Sequence, residues 1–197
     1  EKKDLPGVYL LHGHGDNHTA WDTKGQTGVL ADLYNTIIVM PDGMQNWYAN
    51  KADGLFSVFL GLENGAAIGE SLERLYEFYD AGVRYVTLCH SRDNQICDSC
   101  AEGGGWNGLS NFGKDVVRVM NRLGMLVDVS HISDASFYDV LETSSKPVVA
   151  THSCCRALCD HPRNMTDAMI KDLAAAGGVI QINFYPLFLD GGFKYVL

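Results

Sequence analysis

Residues 121–131 read Asn-Arg-Leu-Gly-Met-Leu-Val-Asp-Val-Ser-His. A helical pattern ends at Leu123, Gly124 follows it, and a short apolar run then closes on His131. Glycine is a common residue just after a helix, because it adopts the left-handed conformation without steric cost. A helix, a glycine, an apolar strand and a polar strand end together form the repeating unit of a parallel α/β structure.

Similar apolar runs occur at four other places in the chain. The five runs span 57–63, 84–90, 125–131, 147–152 and 179–185, and they end on Glu63, His90, His131, His152 and Tyr185. Helical patterns of ordinary length separate the runs, so we interpret the runs as parallel strands joined by helices. We therefore predict the α/β class and an incomplete, TIM-like (β/α) barrel, with roughly seven of the eight strands that closure requires.

Charge and hydropathy argue against two classes of partner. The 197 residues carry a formal charge of −9, whereas nucleic-acid binding needs clustered lysine and arginine. No apolar run reaches the ~20 residues of a membrane-spanning helix. Residues 1–4 also lack the apolar core of a signal peptide. We therefore expect no nucleic-acid partner, no transmembrane segment and a cytoplasmic location.

The six cysteines do not have the spacing of a disulfide framework. Cys97 and Cys100 form a CxxC pair, but no second such pair follows to complete a zinc ribbon. We interpret this pair as part of a loop.

The polar strand ends predict a metal site. In a parallel barrel the carboxyl ends of all strands meet on one face, so Glu63, His131 and His152 are expected to lie together. Each of them alone is better explained as an ordinary loop residue, but carboxylate and imidazole together are typical zinc ligands. A metal with three protein ligands keeps one position open for water and lowers the pKa of that water to near 7. Asp128 faces away from His131 by strand alternation, and we interpret it as structural.

Five short motifs lie at or beside these strand ends. They are Leu-Glu-Asn-Gly at 62–65, Gly-Val-Arg-Tyr-Val-Thr-Leu-Cys-His at 82–90, the stretch at 121–131, Thr-His-Ser at 151–153 and Cys-Asp-His-Pro-Arg-Asn at 159–164. Together they resemble the membrane (renal) dipeptidase family over about residues 55–190. The resemblance implies a barrel-fold zinc metallopeptidase that hydrolyses dipeptides by means of a zinc-bound hydroxide.

The resemblance also implies the metal ligands. Glu63 resembles the catalytic carboxylate that bridges two metal ions, while His131 and His152 resemble the two histidines of one of these ions. The family's other metal needs a His-x-Asp pair, which His14 and Asp16 supply in this sequence. One or two zinc ions are therefore expected.

Two further residues are implied to act on the substrate. His90 resembles the histidine that binds the scissile carbonyl and stabilises the oxyanion during catalysis. Arg163 resembles the arginine that binds the free carboxylate of the dipeptide, a task for which a planar guanidinium is well suited.

The first fifty residues resemble a different family. The apolar strand at 8–11, His-Gly-His-Gly-Asp at 12–16 and Pro-Asp-Gly at 41–43 are similar to the start of an esterase D-like α/β-hydrolase. We therefore predict an esterase-like β-α-β segment at 1–54 and a dipeptidase-like partial barrel at 55–197. Carboxylic-ester hydrolysis is an alternative function, although the sequence has no G-x-S-x-G nucleophile motif. A non-catalytic fragment is the other alternative.

An open barrel exposes the unpaired backbone groups of two edge strands. We therefore expect a homodimer or aggregation of this chain. The expected partners are thus a dipeptide substrate and a second copy of the chain.

Overall fold

The computed structural model describes residues 60–193 continuously and, before them, the short strands at 7–9, 37–39, 49–51 and 55–57. The chain divides into two compact units, Glu1–Phe59 and Leu60–Leu197. The division of the chain by resemblance into 1–54 and 55–197 stays a prediction.

Four short strands of the first unit form two pairs. β1 (Gly7–Tyr9) lies parallel to β2 (Ile37–Val39), and β3 (Ala49–Lys51) lies antiparallel to β4 (Leu55–Ser57). The predicted strand at 57–63 was therefore too long, because Ser57 pairs within the first unit.

The second unit contains a five-stranded parallel sheet. Its strands are β5 (Leu60–Glu63), β6 (Val83–Thr87), β7 (Leu126–Asp128), β8 (Val149–Ser153) and β9 (Val179–Ile182). Their order in the sheet is their order in the chain, and each neighbouring pair is parallel. This is the arrangement of consecutive βα units in a barrel, and it confirms the predicted α/β class and partial barrel. The sheet does not close within the described residues.

Helices lie in the connections between these strands. They are α1 (Glu73–Asp80), α2 (Asn111–Leu123), α3 (Asp134–Thr143) and α4 (Asp167–Ala175), and the short α5 (Pro186–Leu189) follows β9. Gly124 ends α2 with a left-handed φ of 74°, as the sequence predicted. No helix in the described part of the chain is long and apolar enough to cross a bilayer.

Hydroxyl side chains fix the starts of three of these helices. Each accepts a hydrogen bond from the backbone N–H three residues later: Ser110 before α2, Ser133 before α3 and Thr166 before α4. Such a cap stabilises a helix by about 1 kcal/mol, because it satisfies a donor that has no partner within the helix.

The hydrophobic core holds the sheet against the helices. Val86, Val127 and Ala150 of three neighbouring strands are almost completely buried. The same buried cluster includes helical side chains, among them Leu75, Val116, Met120, Phe137 and Leu173. Burial of each large apolar side chain contributes about 1.5–3 kcal/mol, so this packing fixes the positions of the strand ends.

Candidate metal centre

Three side chains converge at the carboxyl edge of the sheet. Glu63 is the last residue of β5, His152 lies near the end of β8, and His131 follows β7. Glu63 Oε1 lies 3.4 Å from Nε2 of His131 and 3.2 Å from Nε2 of His152. The two Nε2 atoms are 2.8 Å apart. The structure thus brings together the three residues that the sequence suggested as ligands of one ion.

The separations between these three atoms fit a single metal ion. Zinc binds imidazole nitrogen and carboxylate oxygen at ~2.0–2.2 Å. A triangle with the three measured sides has a circumradius of about 1.8 Å, so a point just outside its plane lies at zinc–ligand distance from all three atoms. Within the described residues, this is the one cluster of histidine, cysteine or acidic side chains with such a geometry.

His131 reaches the centre through an unusual backbone conformation. Its φ is 72°, in the left-handed region that non-glycine residues rarely occupy. The Cys100 N–H donates a 2.8 Å hydrogen bond to the His131 carbonyl and helps to hold this turn. The predicted strand at 125–131 was therefore too long, since β7 ends at Asp128 and His131 lies in the following turn.

The surroundings of both histidines favour the neutral imidazole. Burial lowers the pKa of His131 to about 2, and the Arg163 guanidinium and the neighbouring imidazoles of His152 and His90 act in the same direction. Burial also lowers the pKa of His152, although the Asp128 carboxylate opposes this effect. A neutral imidazole is the form that binds metals, so these shifts keep both side chains available as ligands.

His90 lies at the open side of the cluster. Its ring stacks on that of His131 with a centroid separation of 4.1 Å, and its Nε2 lies 3.7 Å from Glu63 Oε1. The Ser91 hydroxyl is 2.8 Å from the other ring nitrogen, Nδ1. The side chain of His90 is 45% exposed, so a small molecule can contact its ring from solvent.

Arg163 is a buried cation beside the cluster. Its residue exposure is 9%, and its Nη2 donates a 2.9 Å hydrogen bond to the His152 carbonyl. Its guanidinium lies over the ring of Phe188, 5.4 Å from the centroid. The Nε atom has no hydrogen-bond partner among the described residues. Burial lowers the pKa of Arg163, yet arginine stays charged at neutral pH, so this site favours an anionic ligand.

The sequence did not indicate the part that Thr151 plays in this site. Its hydroxyl lies 2.7 Å from Nδ1 of His152 and 2.6 Å from Oδ2 of Asp128. The sequence shows only that Thr151 directly precedes His152 in β8. A hydroxyl residue at such a position is common, so it does not show which groups the hydroxyl will contact. Asp128 is fully buried and hydrogen-bonded, as expected of a structural residue.

Two other predictions concern the His-x-Asp pair and the cysteines. His14 and Asp16 lie outside the described residues, so their role as ligands of another zinc ion stays a prediction. All six cysteines are free thiols, and Cys97 and Cys100 lie in the loop between β6 and α2. This confirms the interpretation of the CxxC pair as part of a loop.

Two imidazoles and a carboxylate at the carboxyl edge of a parallel (β/α) sheet are typical of a metal-dependent hydrolase. A family model described as membrane dipeptidase (Peptidase family M19) matches residues 33–194. This chain belongs to that family, which confirms the resemblance found in its motifs.

The chain also resembles curated dipeptidases, and each match covers about a third of the relative's length. An uncharacterised dipeptidase of Schizosaccharomyces pombe is 42% identical over 135 residues, which is 68% of this chain and 33% of the relative. The dipeptidase tcpJ of Claviceps purpurea is 40% identical over 147 residues, which is 70% of this chain and 35% of the relative. The chain thus spans about a third of the length of these curated relatives.

Solved structures show the same similarity. The probable dipeptidase PvdM of Pseudomonas aeruginosa is 32% identical with a TM-score of 0.66, over 70% of this chain and 36% of that chain. A metallo peptidase of Rhodobacter sphaeroides, solved with a phosphinate mimic of the dipeptide L-Ala-D-Ala, is 32% identical with a TM-score of 0.64, over 70% of this chain and 41% of that chain.

The comparisons and the side chains of the cluster both indicate zinc as the cofactor. Membership of a zinc peptidase family and the cluster of Glu63, His131 and His152 together confirm the predicted zinc cofactor. The family match begins at residue 33, inside the segment that resembles an esterase, and the comparisons give no support to ester hydrolysis.

Proposed function

We propose that this chain carries the catalytic part of a zinc metallodipeptidase, with Glu63, His131 and His152 as ligands of one zinc ion. The observation that carries the proposal is the triangle of 2.8, 3.2 and 3.4 Å formed by their three ligand atoms. Bound zinc would lower the pKa of a coordinated water and polarise the scissile carbonyl. Arg163 and His90 would act on the dipeptide itself.

Arg163 is proposed to bind the carboxyl terminus of the dipeptide. Its guanidinium is buried next to the cluster, and its Nε has no partner among the described residues. A carboxylate is the anion that a planar guanidinium binds in bidentate geometry. This contact would restrict the substrate to short peptides with a free carboxyl terminus. The dipeptide mimic in the Rhodobacter sphaeroides structure supports this class of substrate.

His90 is proposed to act on the scissile carbonyl. Its ring stacks on a proposed zinc ligand and half of its side chain is exposed, so it borders the space where the carbonyl would lie. Nε2 can donate a hydrogen bond to the oxygen as negative charge develops on it. The other carboxylate oxygen of Glu63 is proposed to bind a further zinc ion, and His14 and Asp16 are proposed as zinc ligands in their own right.

A homodimer is the proposed assembly. Among the residues that the structure describes, β5 and β9 each have a strand neighbour on one side only. Their exposed apolar side chains include Leu60, Val179 and Ile182. A second copy that covers these edges would bury the apolar groups and pair the open backbone. Sedimentation velocity tests this, because a monomer at tens of micromolar would contradict it.

Zinc content and chelator sensitivity test the function. Purified protein is expected to contain about one zinc per chain if only the three-ligand site is filled. Hydrolysis of L-Ala-D-Ala should stop after EDTA treatment and return with zinc. His131→Ala should abolish both zinc binding and hydrolysis. Hydrolysis that continues in zinc-free protein would contradict the proposal and favour a serine-type mechanism.

A further inference from the structure

A buried carboxylate connects the strands that carry the two histidines. Asp128 is fully buried and accepts four hydrogen bonds. Its Oδ1 accepts from the backbone N–H groups of Ser130 and Thr151, both at 3.0 Å. Its Oδ2 accepts from the hydroxyls of Thr87 and Thr151, both at 2.6 Å. One side chain therefore ties β6, β7 and β8 together at the edge where the metal centre lies.

These contacts fix the direction of the hydrogen bond between Thr151 and His152. A threonine hydroxyl has one hydrogen, and Thr151 donates it to Asp128 Oδ2. The Thr151 oxygen can then only accept from Nδ1 of His152, which lies 2.7 Å away. Nδ1 of His152 must therefore carry the hydrogen, and Nε2 presents a lone pair.

That lone pair points toward the other two proposed ligands. His152 Nε2 is 3.2 Å from Glu63 Oε1 and 2.8 Å from His131 Nε2. The opposite tautomer would place a hydrogen on Nε2 and prevent it from binding a metal. The backbone of His152 is held as well, because its N–H donates a 3.0 Å hydrogen bond to the Ser130 hydroxyl and its carbonyl accepts one from Arg163.

We propose that Asp128 and Thr151 are positioning residues that hold the His152 ring in the metal-binding tautomer and orientation. The inference rests on the proposed metal site and adds to it a second layer of hydrogen bonds. Outer contacts of this kind commonly raise metal affinity, because the ligand is already oriented before the ion arrives. Here a hydroxyl stands between the carboxylate and the histidine.

Thr151→Val tests the proposal, because valine keeps the shape of threonine and removes the hydroxyl. Zinc affinity, measured by competition with a chelator, is expected to fall about 10–100-fold. Thr151→Ser keeps a hydroxyl at the same place, so its zinc affinity should fall by less than the ~10-fold expected for loss of this contact. Nitrogen-15 NMR of the zinc-free protein should show His152 protonated at Nδ1, and this preference should disappear in Thr151→Val.

Thr87→Val is the matched control. Thr87 donates an equally short hydrogen bond to the same Asp128 oxygen but makes no hydrogen bond to His131 or His152. This variant should lose stability like Thr151→Val, yet keep both its zinc affinity and the His152 tautomer. An equal loss of zinc affinity in the two valine variants would overturn the proposal, and so would an unchanged tautomer in Thr151→Val.

The readouts separate this inference from the proposed function. If the protein bound no zinc, the proposed function would fail, while the tautomer in zinc-free protein would still report on the contact between Thr151 and His152. If zinc bound equally well to the unsubstituted protein and to Thr151→Val, the positioning role would fail and the metal site would stand.

Discussion

The Nε2 atoms of His131 and His152 lie 2.8 Å apart, although 21 positions separate the two residues in the chain. A carboxylate oxygen of Glu63 lies within 3.4 Å of both. Each neutral imidazole carries one N–H and one lone-pair nitrogen, so a hydrogen on one of these Nε2 atoms forms a hydrogen bond to the other in the metal-free protein. A zinc ion bound by the three atoms would replace this hydrogen bond with coordination.

Removal of the negative ligand should weaken zinc binding. In Glu63→Gln, an amide oxygen replaces the carboxylate, and zinc affinity is expected to fall by about two orders of magnitude, because amides are poor zinc ligands. Competition with a chromophoric chelator measures the change. Glu77→Gln, at an exposed position on α1, is the control and should bind zinc normally. Equal affinities of the two variants would exclude Glu63 as a ligand.

His90→Asn should separate catalysis from metal binding. If His90 stabilises the oxyanion and is not a ligand, kcat should decrease about 10²–10³-fold. Zinc content should stay the same, which atomic absorption measures alongside the kinetics. Loss of zinc from this variant would make His90 a ligand, and an unchanged kcat would remove it from the mechanism.

Substitution of Arg163 should remove the preference for a free carboxyl terminus. A charge-assisted hydrogen bond contributes about 1.5–3 kcal/mol, so the unsubstituted enzyme should prefer a dipeptide over its C-terminal amide by roughly 10–100-fold in kcat/KM. Arg163→Met should cleave both poorly and without preference. Arg163→Lys keeps the charge and should retain part of the preference. If the preference persists in Arg163→Met, the carboxylate binds elsewhere.

Stability of the metal-free protein should decrease at acidic pH. The folded-state pKa values of His131 and His152 lie below their ordinary value of 6.5. Below pH 6.5 the unfolded chain therefore binds more protons than the folded one, so stability is fully present above about pH 7 and falls as the pH decreases. Urea denaturation of metal-free His131→Gln should show a shallower fall between about pH 7 and 5.

A control histidine makes this pH test specific. Burial lowers the pKa of His161 too, but His161 is less buried than His131, so His161→Gln should change the pH dependence less. If His131→Gln and the unsubstituted protein lost stability in parallel on acidification, the burial of His131 would not be the cause.

Gly113 of α2 lies so close to the backbone of Ile96 that any larger residue should destabilise the fold. A Cβ at this position would overlap the carbonyl oxygen of Ile96, so Gly113→Ala should destabilise by about 2 kcal/mol or more, even though alanine favours helices. Gly124→Ala, where a Cβ meets open space but φ is positive, should cost about 1 kcal/mol. Chemical denaturation measures both variants, and a more stable Gly113→Ala protein would contradict the packing.

Local patterns in the sequence were sufficient to predict the order of strands and helices and the convergence of the strand ends. Apolar runs followed by polar residues predict buried parallel strands, and chain direction then places Glu63, His131 and His152 on one edge. The strand at 57–63 was predicted too long, because a continuous apolar run does not show where a chain changes its pairing partner.

Other features of the site depend on tertiary contacts and could not be predicted. The left-handed backbone of His131 is unfavourable by itself and is held by neighbours such as Cys100. Arginine is usually exposed, so the burial of Arg163 has no sequence signal. The link from Asp128 through Thr151 to His152 requires the positions of two oxygen atoms and a ring nitrogen, which spacing along a strand does not define.

The most direct test is an anomalous-diffraction measurement at the zinc edge on crystals of the zinc-loaded protein. The proposed site predicts a peak ~2.0–2.2 Å from Glu63 Oε1 and from Nε2 of both His131 and His152. A zinc peak at other side chains, with no peak between these three atoms, would contradict the proposed metal centre.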